Sequence, residues 1–314
     1  MSSTESVVVS VPESDWVTDI GPIDGVEFVV SDLGSDPERA DDIEVCVPPY
    51  MQAFDRSVFA RLPRLRAVQL LTAGYDGLPE VLPPGVALAN AAGVHTTSTA
   101  ELAVALTLAA QREFPQFVRD ADRGHWPPGR IYRALADSRV LIVGYGAIGQ
   151  AIAARLTPFE VELTAVATRA REGDELVPQI HGIDDLPGLL PHTDILIVIV
   201  PLVERTHHLI DDAVLAALPD GALVVNVARG KVADTDAILR HAGRLRFALD
   251  VTDPEPLPDD HPLWKAPDVL ISPHVGGATT AFRPRAVRLL RAQIEQYART
   301  GSIDHVVAVG ADAG

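Results

Sequence analysis

The sequence predicts an α/β protein built from two doubly wound, parallel-sheet domains, one inserted into the other. Three observations carry that prediction. Short runs of β-formers recur in two series, each alternating with helix-like stretches. A glycine signature follows directly on the first strand of the second series. Polar residues suited to chemistry lie just past the last three strands of the same series.

The first series runs through Val7–Val11, Val26–Val30, Ile43–Val47, Ala67–Leu71 and Val86–Ala89, separated by Pro, Gly and Asp clusters or helical segments. Ser98-Thr99-Ala100-Glu101 then matches a capping box, in which a hydroxyl and a carboxylate three residues on satisfy free helix N–H groups. It predicts a helix to about Phe114, whose Ala and Leu on nearly every face imply burial on several sides. The second series comprises Arg139–Val143, Val161–Ala167, Asp194–Val200, Ala222–Val227, Arg246–Asp250 and Val269–Ser272. An amphipathic helix is expected from Pro284 to Thr300, then a loose tail at Ala311–Gly314. Returning that helix to the first domain divides the chain into residues 1–96 with 281–314, and an inserted domain of residues 97–280.

Composition narrows the function. With 26 Lys+Arg against 43 Asp+Glu, the net charge of −17 gives a surface that repels nucleic acid and anionic lipid. No apolar run approaches the roughly 20 residues of a membrane span, and the N-terminus lacks a basic stretch followed by an apolar block. A cytoplasmic protein without nucleic-acid or membrane partners, and without a metal, is expected. The lone Cys46 lies in an apolar run and reads as core packing rather than redox chemistry.

Val140-Leu141-Ile142-Val143 runs straight into Gly144-Tyr145-Gly146-Ala147-Ile148-Gly149, with a helical segment after it. This is the GxGxxG signature of a dinucleotide-binding Rossmann domain in the context it requires. Gly144 permits the tight turn, Gly146 lets backbone approach a pyrophosphate, and Gly149 lets helix pack on strand. An NAD site usually carries an acid at the end of the next strand to hold the ribose diol. Here that position reads Ala167-Thr168-Arg169-Ala170-Arg171, with no acid before Glu172. Arg169, helped by Arg171, can meet a 2′-phosphate, or the segment is a solvated basic turn. NADP(H) is favoured, with NAD(H) the alternative.

Arg229, Glu255 and His274 each follow a strand of the second series. Parallel strands end on one edge, where ligands of open α/β sheets bind, so topology gathers the three near the cofactor. Arg229 can bind a carboxylate through its planar fork. His274 can protonate a carbonyl oxygen as hydride arrives, and Glu255 can orient the imidazole and keep it charged. The competing readings are a capping Arg, a solvated Glu in a Pro-rich loop and a surface His.

With their neighbours these residues form Asn226-Val227-Ala228-Arg229-Gly230, Ala248-Leu249-Asp250-Val251 with Glu255-Pro256-Leu257-Pro258 and His261-Pro262-Leu263-Trp264, and Ser272-Pro273-His274-Val275-Gly276-Gly277. Together with Leu71-Thr72-Ala73-Gly74-Tyr75-Asp76, Ala100-Glu101, Leu156-Thr157-Pro158-Phe159 and Pro201 with Thr206, the chain closely resembles the D-2-hydroxyacid dehydrogenases over nearly its whole length. The resemblance implies reduction of a 2-keto acid to a D-2-hydroxy acid, with the cofactor domain inserted in a flavodoxin-like substrate domain. It implies that Ala73 and Gly74 offer backbone N–H groups to the substrate carboxylate, that Asp250 holds the carboxamide, and that Thr206 contacts the cofactor. Pro201, Val227 and Gly277 join that cofactor set, and a homodimer joined through the cofactor domains is expected. His95 stands where many members carry Asn, which bears on substrate-side and hinge contacts.

A feedback-regulated phosphoglycerate dehydrogenase is disfavoured, since the sequence carries no added regulatory domain. A non-catalytic dinucleotide sensor is the alternative from another class, because fold alone never fixes function. The intact Arg, Glu and His weigh against it. A formate- or phosphite-type dehydrogenase is the enzymatic alternative, although the resemblance implies Gln in place of Glu255 in formate oxidisers. Tyr50 and Tyr75 either line the substrate pocket or pack between domains.

Overall fold

A computed structural model describes residues 6–311; the first five residues and the last three of the expected tail lie outside the described residues. The chain divides into two compact units, Met1–His95 with Thr280–Gly314, and Thr96–Thr279. The first unit opens with β1 (Val7–Val11), β2 (Val26–Val30), β3 (Ile43–Cys46), β4 (Ala67–Gln69) and β5 (Ala87–Ala89), all paired in parallel. Strands β1, β3, β4 and β5 are buried with little alternation, as strands covered on both faces must be, while the edge strand β2 buries only Val29.

The second unit holds β6 (Arg139–Val143), β7 (Glu162–Ala167), β8 (Arg171–Glu172), β9 (Gln179–Gly182), β10 (Ile195–Val198), β11 (Leu223–Asn226), β12 (Arg246–Leu249) and β13 (Val269–Ile271). The order is β13-β12-β11-β10-β6-β7-β9-β8, so strand order reverses between β6 and β10, where a doubly wound sheet opens a crevice. The chain then returns to the first unit through the helix Phe282–Thr300, which buries Ala286, Leu290, Ile294 and Tyr297 as one stripe. It ends on β14 (Val306–Val309), giving a first sheet of order β14-β5-β4-β3-β1-β2.

Neither sheet is purely parallel: β14 pairs antiparallel with β5, and β8 with β9. The capping box at Ser98 is not formed. The helix begins at Thr96, and the Ser98 hydroxyl lies inside it, 2.7 Å from Thr279 Oγ1. That helix stops at Gln111, and a second runs over Phe114–Asp122 after Glu113, whose φ of 56° breaks the first. The first packs on the helix Ala147–Leu156 and on β11 and β12, which accounts for its many buried faces. Cys46 is buried, and burial pushes its thiol up to about 12, so it is a core residue. Among the described residues no helix is long and apolar enough to cross a membrane.

Candidate active site

Strand register in the second sheet levels the carboxyl ends. Val143 pairs with Val198, Val198 with Asn226, Asn226 with Leu249, and Leu249 with Ile271. Residues just past these ends are therefore collected along one edge.

At β6 the chain enters the glycine turn. Gly144 has φ 111°, and a Cβ there would lie 2.1 Å from the Ile199 carbonyl oxygen; one on Gly149 would lie equally close to the Gly144 carbonyl oxygen. Only bare backbone lets strand, turn and helix close to these distances. A Cβ on Gly146 would meet nothing within 4 Å, leaving open space for a pyrophosphate to approach the backbone. Gly146 also caps the helix Ala147–Leu156 without a side-chain capping bond, so the N–H groups of its first turn, from Ala147 and Ile148 onward, are suited to an anion. The residues present fit a nicotinamide dinucleotide.

The loops after β7 and β10 flank this turn. Thr168 and Arg169 are exposed just past β7. Arg171 instead donates from Nη2 to the Tyr145 carbonyl at 2.8 Å, while Tyr145 Oη donates to Asp174 at 3.0 Å, so Arg171 buttresses the glycine turn. In the loop after β10, Thr206 is buried and its hydroxyl donates to the exposed Pro201's carbonyl at 2.7 Å and accepts from Val203 N at 2.8 Å. It shapes that loop. Arg205 Nη2 donates to Thr168 Oγ1 at 2.6 Å, a link between the two loops that the sequence reading missed.

Past β11, buried Asn226 builds the turn that carries Arg229: its Nδ2 donates to the Arg229 carbonyl at 3.1 Å, and its Oδ1 accepts from Ala228 N at 3.0 Å. Val227 is buried beside it. A Cβ on Gly230 would fall 1.8 Å from the Thr252 carbonyl oxygen, so this turn presses directly on the loop that carries Glu255. That loop is tied internally by Thr252 Oγ1 to the Pro254 carbonyl at 2.9 Å, and from outside by Thr235 Oγ1 to the Asp253 carbonyl at 2.8 Å.

His274 sits past β13 with φ 52°, a left-handed conformation that costs a non-glycine residue on the order of 1–3 kcal/mol unless its surroundings enforce it. Asp250 supplies the enforcement. Its carbonyl accepts from His274 N at 2.8 Å, Oδ1 accepts from Ser272 Oγ at 2.7 Å and Val275 N at 2.9 Å, and Oδ2 accepts from Gly276 N at 2.9 Å. Gly277 follows, its carbonyl accepting from Thr279 N at 3.0 Å. The imidazole Nδ1 donates to Glu255 Oε1 at 2.5 Å. That hydrogen bond raises the His274 pKa above the ordinary imidazole value, against the opposing effects of burial and the Arg229 charge; the Asp250 carboxylate adds to the rise. Glu255 and Arg229 thus both act on His274 within the second unit.

Ala73 and Gly74 belong to the first unit, in the turn after β4. Thr72 Oγ1 donates to the Gly74 carbonyl at 2.7 Å and Asn90 Nδ2 to the Ala73 carbonyl at 2.9 Å. His95 pins the start of the same turn, its Nε2–H donating to the Leu71 carbonyl at 2.8 Å, and its ring is parallel to those of Tyr50 and Phe282. Tyr50 stacks on Phe282 at 3.9 Å, and Tyr75 packs at the edge of an apolar cluster, both inside the first unit. A cavity of about 720 Å³ lies elsewhere, at the amino ends of β12 and β13 among Arg119, Arg133, Arg246 and Lys265. It is at the opposite edge from Arg229, Glu255 and His274.

Comparison with known proteins identifies the family. Residues 104–276 match the family model of the D-isomer specific 2-hydroxyacid dehydrogenase NAD binding domain. The chain is 34% identical over 245 residues to a glyoxylate reductase of Thermofilum pendens, covering 75% of this chain and 72% of the relative. It is 33% identical over 228 residues to a glyoxylate reductase/hydroxypyruvate reductase of Homo sapiens, covering 70% of each. A D-isomer specific 2-hydroxyacid dehydrogenase from Xanthobacter autotrophicus Py2, solved in complex with NADPH and MES, superposes with a TM-score of 0.82 at 27% identity, covering 97% of this chain and 98% of that one. The chain belongs to the D-isomer specific 2-hydroxyacid dehydrogenase family. It is an oxidoreductase that moves hydride between a nicotinamide cofactor and a small 2-hydroxy acid or its 2-keto acid.

Proposed function

We propose that the protein reduces a small 2-keto acid of the glyoxylate and hydroxypyruvate class to the D-2-hydroxy acid, prefers NADPH, and uses Arg229, Glu255 and His274 as its catalytic set. The bond from His274 to Glu255, with Arg229 close enough to act on the same imidazole, carries this reading. The relatives named above supply the substrate class. When bound, the nicotinamide supplies hydride to the carbonyl carbon. Arg229 holds the carboxylate. His274, with Nδ1 committed to Glu255, gives its Nε2 proton to the carbonyl oxygen as the new C–H bond forms. Keto acid, hydride and that proton then sum to the hydroxy acid, and a solvent proton restores the imidazolium. Following the family resemblance, the Ala73 and Gly74 N–H groups assist with the carboxylate. Gly144, Gly146, Ala147, Ile148 and Gly149 receive the pyrophosphate, Arg169 the 2′-phosphate, and Pro201, Thr206, Val227, Asp250 and Gly277 the rest of the cofactor.

A panel of glyoxylate, hydroxypyruvate, pyruvate and branched 2-keto acids, each with NADPH and NADH, tests the reading. Turnover of the first two with NADPH is expected. Dinucleotide binding with no turnover of any 2-keto acid would sink it. We further propose a homodimer joined through the second unit. Large apolar side chains are exposed in one short stretch there, Phe114 at 55%, Val118 at 59%, Trp126 at 93% and Ile131 at 100%, a concentration that marks an interaction surface.

A further inference from the structure

The sequence names Arg169 and Arg171 as the cations available to a 2′-phosphate, yet the Arg171 guanidinium is committed to the Tyr145 carbonyl of the glycine turn. In the β8–β9 ribbon, Arg171 and Glu172 point to opposite faces, so Glu172 does not stand beside it as a ribose acid. The cation that does reach the end of β7 comes from another loop. Arg205, after β10, donates from Nη2 to Thr168 Oγ1 at 2.6 Å, next to Arg169. Strands β10 and β7 lie on either side of β6, so this bond spans the edge at which β6 delivers the glycine turn. Adenosine is bound at that edge in dinucleotide domains of this architecture.

We propose that Arg205 is a specificity-determining residue: held by Thr168, it forms with Arg169 a two-sided cationic grip on the 2′-phosphate of NADP(H). The inference rests on the NADPH preference proposed above and names the residues that produce it. A guanidinium is planar and carries five donors, so it can keep the Thr168 hydroxyl and still present N–H groups to a phosphate. Two guanidiniums from separate loops suit a dianion better than one, because each contributes a charged hydrogen bond from its own direction. Thr168 limits the rotamer freedom that Arg205 would otherwise lose on binding.

The test is calorimetric binding of adenosine 2′,5′-bisphosphate and of 5′-AMP to the purified full chain, which needs no turnover. Wild type should bind the bisphosphate more tightly. Arg205→Ala should weaken the bisphosphate by about 5- to 10-fold, just below the range for a charged hydrogen bond because the site is exposed, with 5′-AMP affinity unchanged. Arg205→Lys should recover only part of the loss, since a point charge cannot hold Thr168 and a phosphate together. If wild type shows no preference for the bisphosphate, the NADPH reading itself falls and the grip with it. If wild type prefers the bisphosphate and Arg169→Ala abolishes that preference while Arg205→Ala leaves it intact, only the role of Arg205 is overturned. Equal weakening of both ligands by Arg205→Ala overturns it too, making Arg205 a loop strap.

Discussion

His274 is shaped by two acids that do different things. Glu255 bonds the ring and raises its pKa, whereas Asp250 accepts from the His274, Val275 and Gly276 N–H groups and the Ser272 hydroxyl and so fixes the backbone that carries the ring. The first effect has a readable sign. A raised pKa keeps the imidazole protonated to higher pH, so reduction persists there and is lost as pH rises through the raised value. The reverse oxidation needs neutral imidazole and gains over the same window. Glu255→Gln replaces the carboxylate by a neutral amide, so the His274 pKa should fall. In pH profiles of kcat/KM, the falling limb of reduction and the rising limb of oxidation should both move to more acid pH. Limbs that stay in place would show that Glu255 does not couple to the proton donor.

At the scale of elements, the site depends on how closely loops from neighbouring strands approach. Gly230 sits where the β11 turn meets the Thr252 carbonyl, with no room for a Cβ. Gly230→Ala must push the Arg229 turn away from the Glu255 loop, an overpacking change that typically costs about 1–3 kcal/mol. It should lower Tm by several degrees, at roughly 2–4 °C per kcal/mol for a unit of this size, and lower kcat/KM through misplacement of Arg229. An unaltered melt and unaltered kinetics would mean that the two loops are not held against each other. The placement of Arg229, Glu255 and His274 past neighbouring strand ends was legible in the sequence because the strands of the second series recur between helix-like stretches, and register levels their ends. What was not legible depended on tertiary partners. The capping box at Ser98 matched a local pattern, but its hydroxyl turns to Thr279 instead. The two-residue β8 and the edge strand β14 are too short to carry a period, and only pairing with β9 and β5 defines them. Glu113 is not the Gly or Asn that ordinarily signals a left-handed turn, and the local mark of the break is Pro115, in the first turn of the next helix. Arg205 escaped notice because its partner is 37 residues away across the sheet edge.

At the scale of the whole molecule, a net charge of −17 per chain means that two copies repel at long range, so short-range contact must hold the proposed dimer together. In that proposed dimer, the stretch from Phe114 to Tyr132 offers such contact. Phe114 and Phe117 pack edge to face, Phe117 meets Tyr132 at 5.1 Å, and Arg130 pairs with Glu113 while lying over the Tyr132 ring. These internal contacts fix the segment while Trp126 and Ile131 remain exposed. A stable pair buries about 1,200–2,000 Å² in total, and large side chains near its centre carry most of the energy. Trp126→Asp combined with Ile131→Asp should therefore convert a two-chain particle into single chains, read by light scattering, while circular dichroism stays that of the folded protein. Salt distinguishes the driving force. Screening the like charges should strengthen an apolar dimer between low and physiological ionic strength, whereas a dimer held by ion pairs would weaken. A wild-type chain that runs as a monomer at all concentrations, or a double variant that keeps its partner, would remove this face from the assembly.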